Sequence, residues 1–419
     1  MRSPRLRSLA AVISLASACL PAGATGPFAP RDQHVWPLSG SQAPSLPFSS
    51  TYGPRAKSSD NSRYDWHRGV DMPTPCNTPV HAIRAGVVRM SGDYPGTYSD
   101  RMVQICHPRP GAPASVCGQD ADNDGLMDDA NGDGRVDGSV SPQAYYSVYL
   151  HLASADVVVG QQVAAGDVVA HTGDSGIGYS GNCQSGSAGG FDHLHFELRD
   201  GGVTSADAVH PLLVLPYAPP ADALAVAFNG VDLAAPAAPV VQALVTAPAS
   251  APHFNRLELR VFDHVNGSPV QVAFKALDLM AWTRAHSTSI DRLDTAPGYT
   301  GQYVDAAVFG PDMLGMTVAP GALTNDGKPY RLHVGFEGLA GGADAARLSF
   351  ELRAYDIDGR MVRAVQGPAA GGGDPGGPVE NATPVPVLGP AGLVGLPLLL
   401  AVAGGLRWFR RQRRGQEDS

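Results

Sequence analysis

The stretch His193-Leu194-His195-Phe196-Glu197-Leu198 alternates polar and apolar side chains one for one. A period of two is that of a β-strand, in which residues two apart share a face, so His193 and His195 project together. Two earlier segments carry similar residues: His67-Arg68-Gly69-Val70-Asp71 and Tyr149-Leu150-His151-Leu152. If 67–71 is extended, His67 and Asp71 also share a face. Strands lying side by side would then gather four histidines and a carboxylate into one pocket. Imidazole nitrogens and a carboxylate oxygen suit zinc. Three protein ligands leave one position open for water, as in a catalytic rather than a structural site. A lone His-x-His is commonly incidental; three such segments in order, flanked by turn signals, are not.

Outward from these segments, the chain has 419 residues, enough for two to three domains at roughly 150 residues each. Fifty glycines and 36 prolines against 7% aromatics favour strands joined by many turns over long helices. The second half alternates as well: Leu257, Leu259 and Val261 oppose Glu258 and Arg260, and Leu348, Phe350 and Leu352 oppose Ser349, Glu351 and Arg353. Half-buried antiparallel strands of this kind predict a β-sandwich. The expected fold class is all-β: an antiparallel β-sheet domain bearing the histidines, a β-sandwich, and a C-terminal transmembrane segment. His253, His264, His286 and His333 in the second half read as surface or strand-face residues. A net charge of −9 argues against nucleic acid as a partner.

Both ends read as addresses. Residues 1–24 have an arginine-bearing start, a short apolar run and Ala22-Gly23-Ala24, the pattern of a secretory signal. Residues 367–384 are a Gly/Pro-rich linker. Residues 385–419 join a Pro-containing motif, an uncharged stretch to Leu406 and five arginines, Arg407, Arg410, Arg411, Arg413 and Arg414. The apolar run is long enough to cross a bilayer, with the arginines kept cytoplasmic. This tail resembles bacterial PEP-CTERM and IPTL-CTERM sorting signals, which implies a sorting protease as a partner; a plain membrane anchor is the alternative. Either way the protein is expected to be exported from a bacterium, its body in the cell envelope and outside the cytoplasm. The folded parts are expected at 25–217 and 218–366.

The histidine segments, with Ser49-Ser50-Thr51-Tyr52-Gly53-Pro54-Arg55 before them and Thr172-Gly173-Asp174-Ser175-Gly176 between them, resemble the signature of the lysostaphin/LytM-type zinc endopeptidases. Those enzymes cut peptide cross-bridges of bacterial peptidoglycan. The resemblance covers about residues 35–200. It implies His67, Asp71 and His195 as zinc ligands and His151 and His193 as an unliganded catalytic pair. The chain has no His-Glu-x-x-His, so a histidine must replace the usual glutamate base. The words Gly173-Asp174-Ser175-Gly176 also suit a serine nucleophile, but the context of a serine protease is missing. The implied function is an exported zinc metallo-endopeptidase acting on peptidoglycan. A non-catalytic wall-binding or amidase-activating relative, or a protease of secreted proteins, is the alternative.

A long insertion lies between Cys106 and Tyr145. Within 118–138 it repeats an Asp-rich loop: Asp120, Asp122, Asp124 and Asp128, then Asp129, Asn131, Asp133 and Asp137, with Gly125 and Gly134 at the turn positions. Oxygen ligands at positions 1, 3, 5 and 9 with glycine at 6 make a calcium loop, and the pattern resembles thrombospondin type-3 and dockerin half EF-hands. The glutamate expected at position 12 is replaced by Asn131 and Val140. Export permits disulfides. Of the three pairings open to the four cysteines beyond the signal, Cys106–Cys117 would staple the base of the insertion and Cys76–Cys183 would tie two loops beside the site.

Overall fold

The computed structural model describes residues 28–46, 48–57, 60–93, 100–176, 183, 192–218, 220, 223–233, 240–248, 253–290, 316–317, 330–336 and 345–367. The expected signal at 1–24 and tail at 385–419 lie outside them, as does the linker after Gly367. Among the described residues no helix is long and apolar enough to cross a membrane.

The molecule is built from antiparallel sheets. The largest has seven strands, in the order Ala208–Val209, His193–Asp200, Ala144–Leu150, Arg101–Pro108, Gly86–Asp93 and Gln162–Val163, with Val70–Pro73 also pairing with His193–Asp200. Directly opposed residues of an antiparallel pair share a face. One face carries Leu194, Phe196, Leu198, Tyr149, Val103 and Ile105 into the main core beside Trp36 and Phe48. The other carries His193, His195 and Glu197. A three-stranded sheet, Pro79–His81, Val168–Thr172 and Leu152–Ala155, packs nearby. The strand pair Gly53–Lys57 and Asp60–His67 leads into the site.

The insertion covers the far part of the histidine-bearing face. Cys117 and Val136 pack on Val87, Cys106 and Tyr146. Backbone bonds from Val136 N to Arg89 O and from Met127 N to Gly160 O fix it in place.

The second half forms two four-stranded sheets. One orders Ala225–Asp232, Val240–Ala247, Tyr330–Phe336 and Met316–Thr317; the other orders Ser268–Asp278, Phe254–Val265, Leu348–Asp356 and Met361–Gln366. Val240–Ala247 buries every second residue, as its period demands. Val241, Ala243 and Val245 share a core with Leu257, Leu259, Phe350 and Leu352.

Two features depart from the sequence reading. A helix, Leu279–Ile290, follows the Ser268–Asp278 strand, and Asp278 Oδ1 accepts the Ala281 N–H at 2.9 Å. Asp278 thus caps one orphan donor of the first turn. The helix then docks on the first half. Thr283 Oγ1 lies 2.6 Å from the Tyr52 hydroxyl and accepts from Trp66 Nε1 at 3.0 Å. Tyr52, Trp66 and Ala208 belong to the same apolar cluster as the sandwich interior.

Candidate active site

His67 ends the Asp60–His67 strand, Arg68 and Gly69 bend the chain, and Asp71 sits in Val70–Pro73. The two residues therefore stand on successive strands, not on one extended strand as the spacing suggested. They converge all the same, because Asp71 lies directly opposite His195 in the sheet. Gly69 makes the bend possible: a Cβ there would collide with the Phe196 carbonyl oxygen and crowd His195 Nε2.

Three ligand atoms form a nearly equilateral triangle. His67 Nε2 is 2.9 Å from His195 Nδ1, His195 Nδ1 is 3.0 Å from Asp71 Oδ1, and His67 Nε2 is 3.1 Å from the same oxygen. Tetrahedral zinc with bonds of about 2.0–2.1 Å spaces its ligand atoms roughly 3.3 Å apart. The outer ring nitrogens also fit. His67 Nδ1 donates to the Thr51 carbonyl at 2.9 Å, which leaves a lone pair on Nε2. His195 Nε2 meets Glu197 Oε1 at 3.1 Å, which leaves Nδ1 turned inward. Partners of this kind fix the tautomer and ring orientation of metal-binding histidines. Arg199 in turn holds the second Glu197 oxygen, Nε to Oε2 at 2.8 Å.

The electrostatics follow from this packing. Burial pushes the Asp71 carboxyl up, but the charges of His67 and His193 and hydrogen bonds from His195 and His67 outweigh it and hold it well below the usual range. Burial pushes His195 down, but its bonds to Asp71 and Glu197 raise it to about 9. Without metal, then, a proton occupies the His195 Nδ1 position that a cation would take. Burial also raises Glu197, yet Arg199 and His195 hold it far below an ordinary glutamate.

His151 and His193 flank the triangle. Their ring centres are 4.8 Å apart, and His193 Nε2 lies 3.6 Å from Asp71 Oδ1. The His67 side chain is 2% exposed, whereas His193 is 19% and His151 18% exposed, so the pair is the part most open to solvent. His151 stands at the corner where the chain leaves Ala144–Leu150 and enters Leu152–Ala155 in another sheet. It turns there with φ +63°, a left-handed conformation uncommon for a residue with a side chain. The corner is held by Asp100, whose Oδ1 accepts from His151 N at 3.0 Å, and by Ser175, whose carbonyl accepts from His151 Nδ1 at 2.8 Å. Ser175 Oγ donates to Asp100 Oδ1 and accepts from Arg101 N. The serine of the Gly-Asp-Ser-Gly words is therefore a buried support for His151. Asp100 went unread in the sequence, since it lies in no motif and meets His151 only where the chain turns between two sheets.

Asp120, Asp122 and Asp124 each bring an oxygen within 4.8 Å of the others. The two Asp-rich loops repeat one geometry. Asp120 Oδ1 accepts from Asp124 N and Asp129 Oδ1 from Asp133 N, both at 3.1 Å; Asp122 and Asn131 add a second acceptor to each of those N–H groups. Asp128 and Asp137 close the loops onto Ala121 N and Ala130 N, each at 3.0 Å. The disulfides Cys106–Cys117 and Cys76–Cys183 are both formed.

Residues 128–208 match the model of peptidase family M23. No curated protein matches the chain. Among solved structures, the catalytic domain of the antimicrobial peptidase lysostaphin from Staphylococcus simulans is 20% identical, with 39% of this chain and 88% of that one covered and a TM-score of 0.25. LytU is 24% identical, covering 39% of this chain and 80% of that one, with a TM-score of 0.24. A catalytic-domain mutant of the prophage-encoded M23 protein EnpA from Enterococcus faecalis is 21% identical, covering 44% and 96%, with a TM-score of 0.25. The matched stretch holds His151, His193 and His195, the fold brings His67 and Asp71 to it from outside the match, and the histidine-bearing part of the chain is thus similar to peptidase family M23.

Proposed function

We propose that the protein is an exported zinc metallo-endopeptidase that hydrolyses peptide cross-bridges of bacterial peptidoglycan. The observation that carries this reading is the triangle of His67 Nε2, Asp71 Oδ1 and His195 Nδ1 with two further histidines beside its open side. His67, Asp71 and His195 would hold the zinc. When bound, it would polarise the scissile carbonyl and acidify a water. The residues around it divide the remaining work. Glu197, backed by Arg199, keeps His195 turned so that Nδ1 faces Asp71. His151 has its Nδ1 proton committed to the Ser175 carbonyl, so its Nε2 lone pair is free to take a proton from the attacking water. The same nitrogen can return that proton to the leaving amine. His193, its ring centre 4.8 Å from that of His151, would offer an imidazole N–H to the developing oxyanion.

The finer parts of the reading are export through residues 1–24, retention or sorting through 385–419, and calcium between the aspartates of 118–138. Residues 25–217 form the catalytic unit and 218–366 the second unit. The test is turnover of purified sacculi and of a casein-type substrate side by side, with and without a zinc chelator. Chelator-sensitive release of peptides from sacculi supports the proposal. Cleavage of casein alone assigns a protease of secreted proteins, and cleavage of neither assigns a wall-binding relative without catalysis.

A further inference from the structure

Arg89 lies on the Gly86–Asp93 strand and is 8% exposed. Among the described residues its head has one acceptor, the uncharged Oε1 of Gln104, 2.8 Å from Nη1. Its Nε is sealed from solvent and, among the described residues, has no acceptor and no carboxylate at ion-pairing distance. A buried charge without a counter-charge is costly. The neighbour that matters most makes it worse: after burial, the charge of Arg135 is what most opposes the cationic form of Arg89, and the weaker pull of Asp133 does not make up for it.

Beside the two arginines opens a cleft of about 230 Å³, lined by Arg89, Arg135 and the turn 136–140 of the insertion. Asp133 and Asp137 border it as well. Both oxygens of Asp137 are already taken, by Ala130 N and Asn131 Nδ2, and Asp133 is exposed. Arg135 has no ion pair among the described residues.

The strand registers relate this cleft to the catalytic histidines. Met90 lies opposite Gln104, Gln104 opposite Val148, and Val148 opposite Glu197, which holds His195. Opposed residues share a face, so Gln104 and Glu197 point to the same side of the sheet. Three strand spacings separate the Arg89 strand from the Glu197 strand, roughly 14 Å, the length of about four extended residues.

We propose that this cleft is a subsite in which Arg89 and Arg135 bind a carboxylate of the substrate peptide, about four residues from the bond cleaved. The inference rests on the peptidase reading above and gives it a substrate preference, for peptides acidic at that distance. The fork of an arginine matches a carboxylate with two parallel N–H donors, and the Nη donors of Arg89 that Gln104 leaves unused supply them. The insertion contributes Arg135 and the cleft wall, so the subsite belongs to this insertion and not to the sheet alone.

Two measurements on the full-length protein decide it. The first compares kcat/KM for peptides identical except for glutamate or glutamine three to five residues from the scissile bond. The second is calorimetric titration of the zinc-free protein with N-acetylglutamate amide, which needs no turnover. The wild type is expected to favour the glutamate peptide by about tenfold or more, and Arg135→Gln, on the surface of the insertion, to bring that ratio near one and abolish the heat of binding. Arg89→Gln should do the same if it folds. Cleavage of both peptides at equal rates by the wild type, with no binding of the probe, overturns the subsite and leaves the peptidase intact. Binding of the probe that is lost in Arg135→Gln, with neither peptide cleaved, upholds the subsite as an anion site and overturns the peptidase reading.

Discussion

On one face of the seven-stranded sheet, His107 donates from Nδ1 to the Ala85 carbonyl at 3.0 Å and meets Ser147 Oγ through Nε2 at 2.8 Å. His34 packs on that side with Pro30 O at one nitrogen and the Tyr145 hydroxyl at the other. On the opposite face, His195 has Asp71 at one nitrogen and Glu197 at the other. All three rings are largely or wholly buried, yet their charges diverge. Where the partners are neutral, burial dominates and lowers His34 to about 4 and His107 to about 3. Where two carboxylates oppose it, burial loses and His195 rises to about 9. Burial alone does not set the state of a histidine; the charge of what fills its two nitrogen positions does. One face uses histidine as a neutral strut with every hydrogen-bonding site filled, and the other holds it where a proton and the proposed zinc would compete for one lone pair.

The most forceful way to break this contrast is to remove the ring from the carboxylate-rich face. His195→Ala is expected to lose both zinc and turnover, checked by metal content and peptide release. His151→Ala should keep its zinc and lose turnover by about 10²–10⁴-fold, the range of a general base. Equal metal loss in the two variants would mean that the roles are misassigned.

Acid sharpens the other side of the comparison. His34 and His107 have folded pKa values below the unfolded value of 6.5, so the unfolded chain takes up protons that the folded chain refuses. Their contribution is complete above pH 6.5 and is lost as the pH falls from there toward 4 and 3. Between pH 7 and 5 the two together should cost roughly 3–4 kcal/mol of stability. Urea midpoints of the wild type and His34→Gln over this range test it; the variant should lose about 2 kcal/mol less between pH 7 and pH 5. Parallel slopes would show that His34 is not held neutral.

A smaller effect is expected from the support behind the metal. Glu197→Gln keeps the shape but weakens the hold on His195 Nε2, and zinc affinity should fall about 10–100-fold. Since His195 keeps a proton up to about 9 in the metal-free protein, zinc must displace it, and apparent affinity should climb with pH toward that value. Competition titration with a chelator at pH 6, 7 and 8 reads both, and a flat profile would count against the carboxylate pair as the cause.

The smallest change belongs to the insertion that covers the far end of the histidine face. Millimolar calcium should slow proteolysis within residues 118–138 relative to chelator, by about 1 kcal/mol of added stability for a weak extracellular-type site. Identical rates would leave the aspartates as a solvated loop.

The carboxylate-rich face was the more legible of the two in the sequence. His193-Leu194-His195 declares its strand and its face by alternation alone, and the second half betrays its strands in the same way. Asp100 and Arg89 were not legible. Asp100 reaches His151 only because the chain turns a left-handed corner between two sheets, and Arg89 meets Gln104 beside a register shift between Val88 and Met90. Neither a corner nor a bulge leaves a period to count. His107 was legible only as a histidine outside the motifs, because nothing near it in the chain announces Ser147, forty residues on. The helix Leu279–Ile290 is short, and its Asp278 cap is a weak signal amid strands.

That helix has a consequence for modularity. The strand that ends in His67 rests, through Trp66, on Thr283 and on the ring of Trp282, stacked at 6.1 Å. The proposed metal ligand His67 is thus braced from beneath by a part of the chain more than two hundred residues away. The histidine-bearing half cannot be traded between proteins like a cassette cut at residue 217, since the cut would bare Tyr52 and Trp66 and loosen the ground under His67. Evolution and engineering alike would have to carry the helix along or rebuild its contact surface.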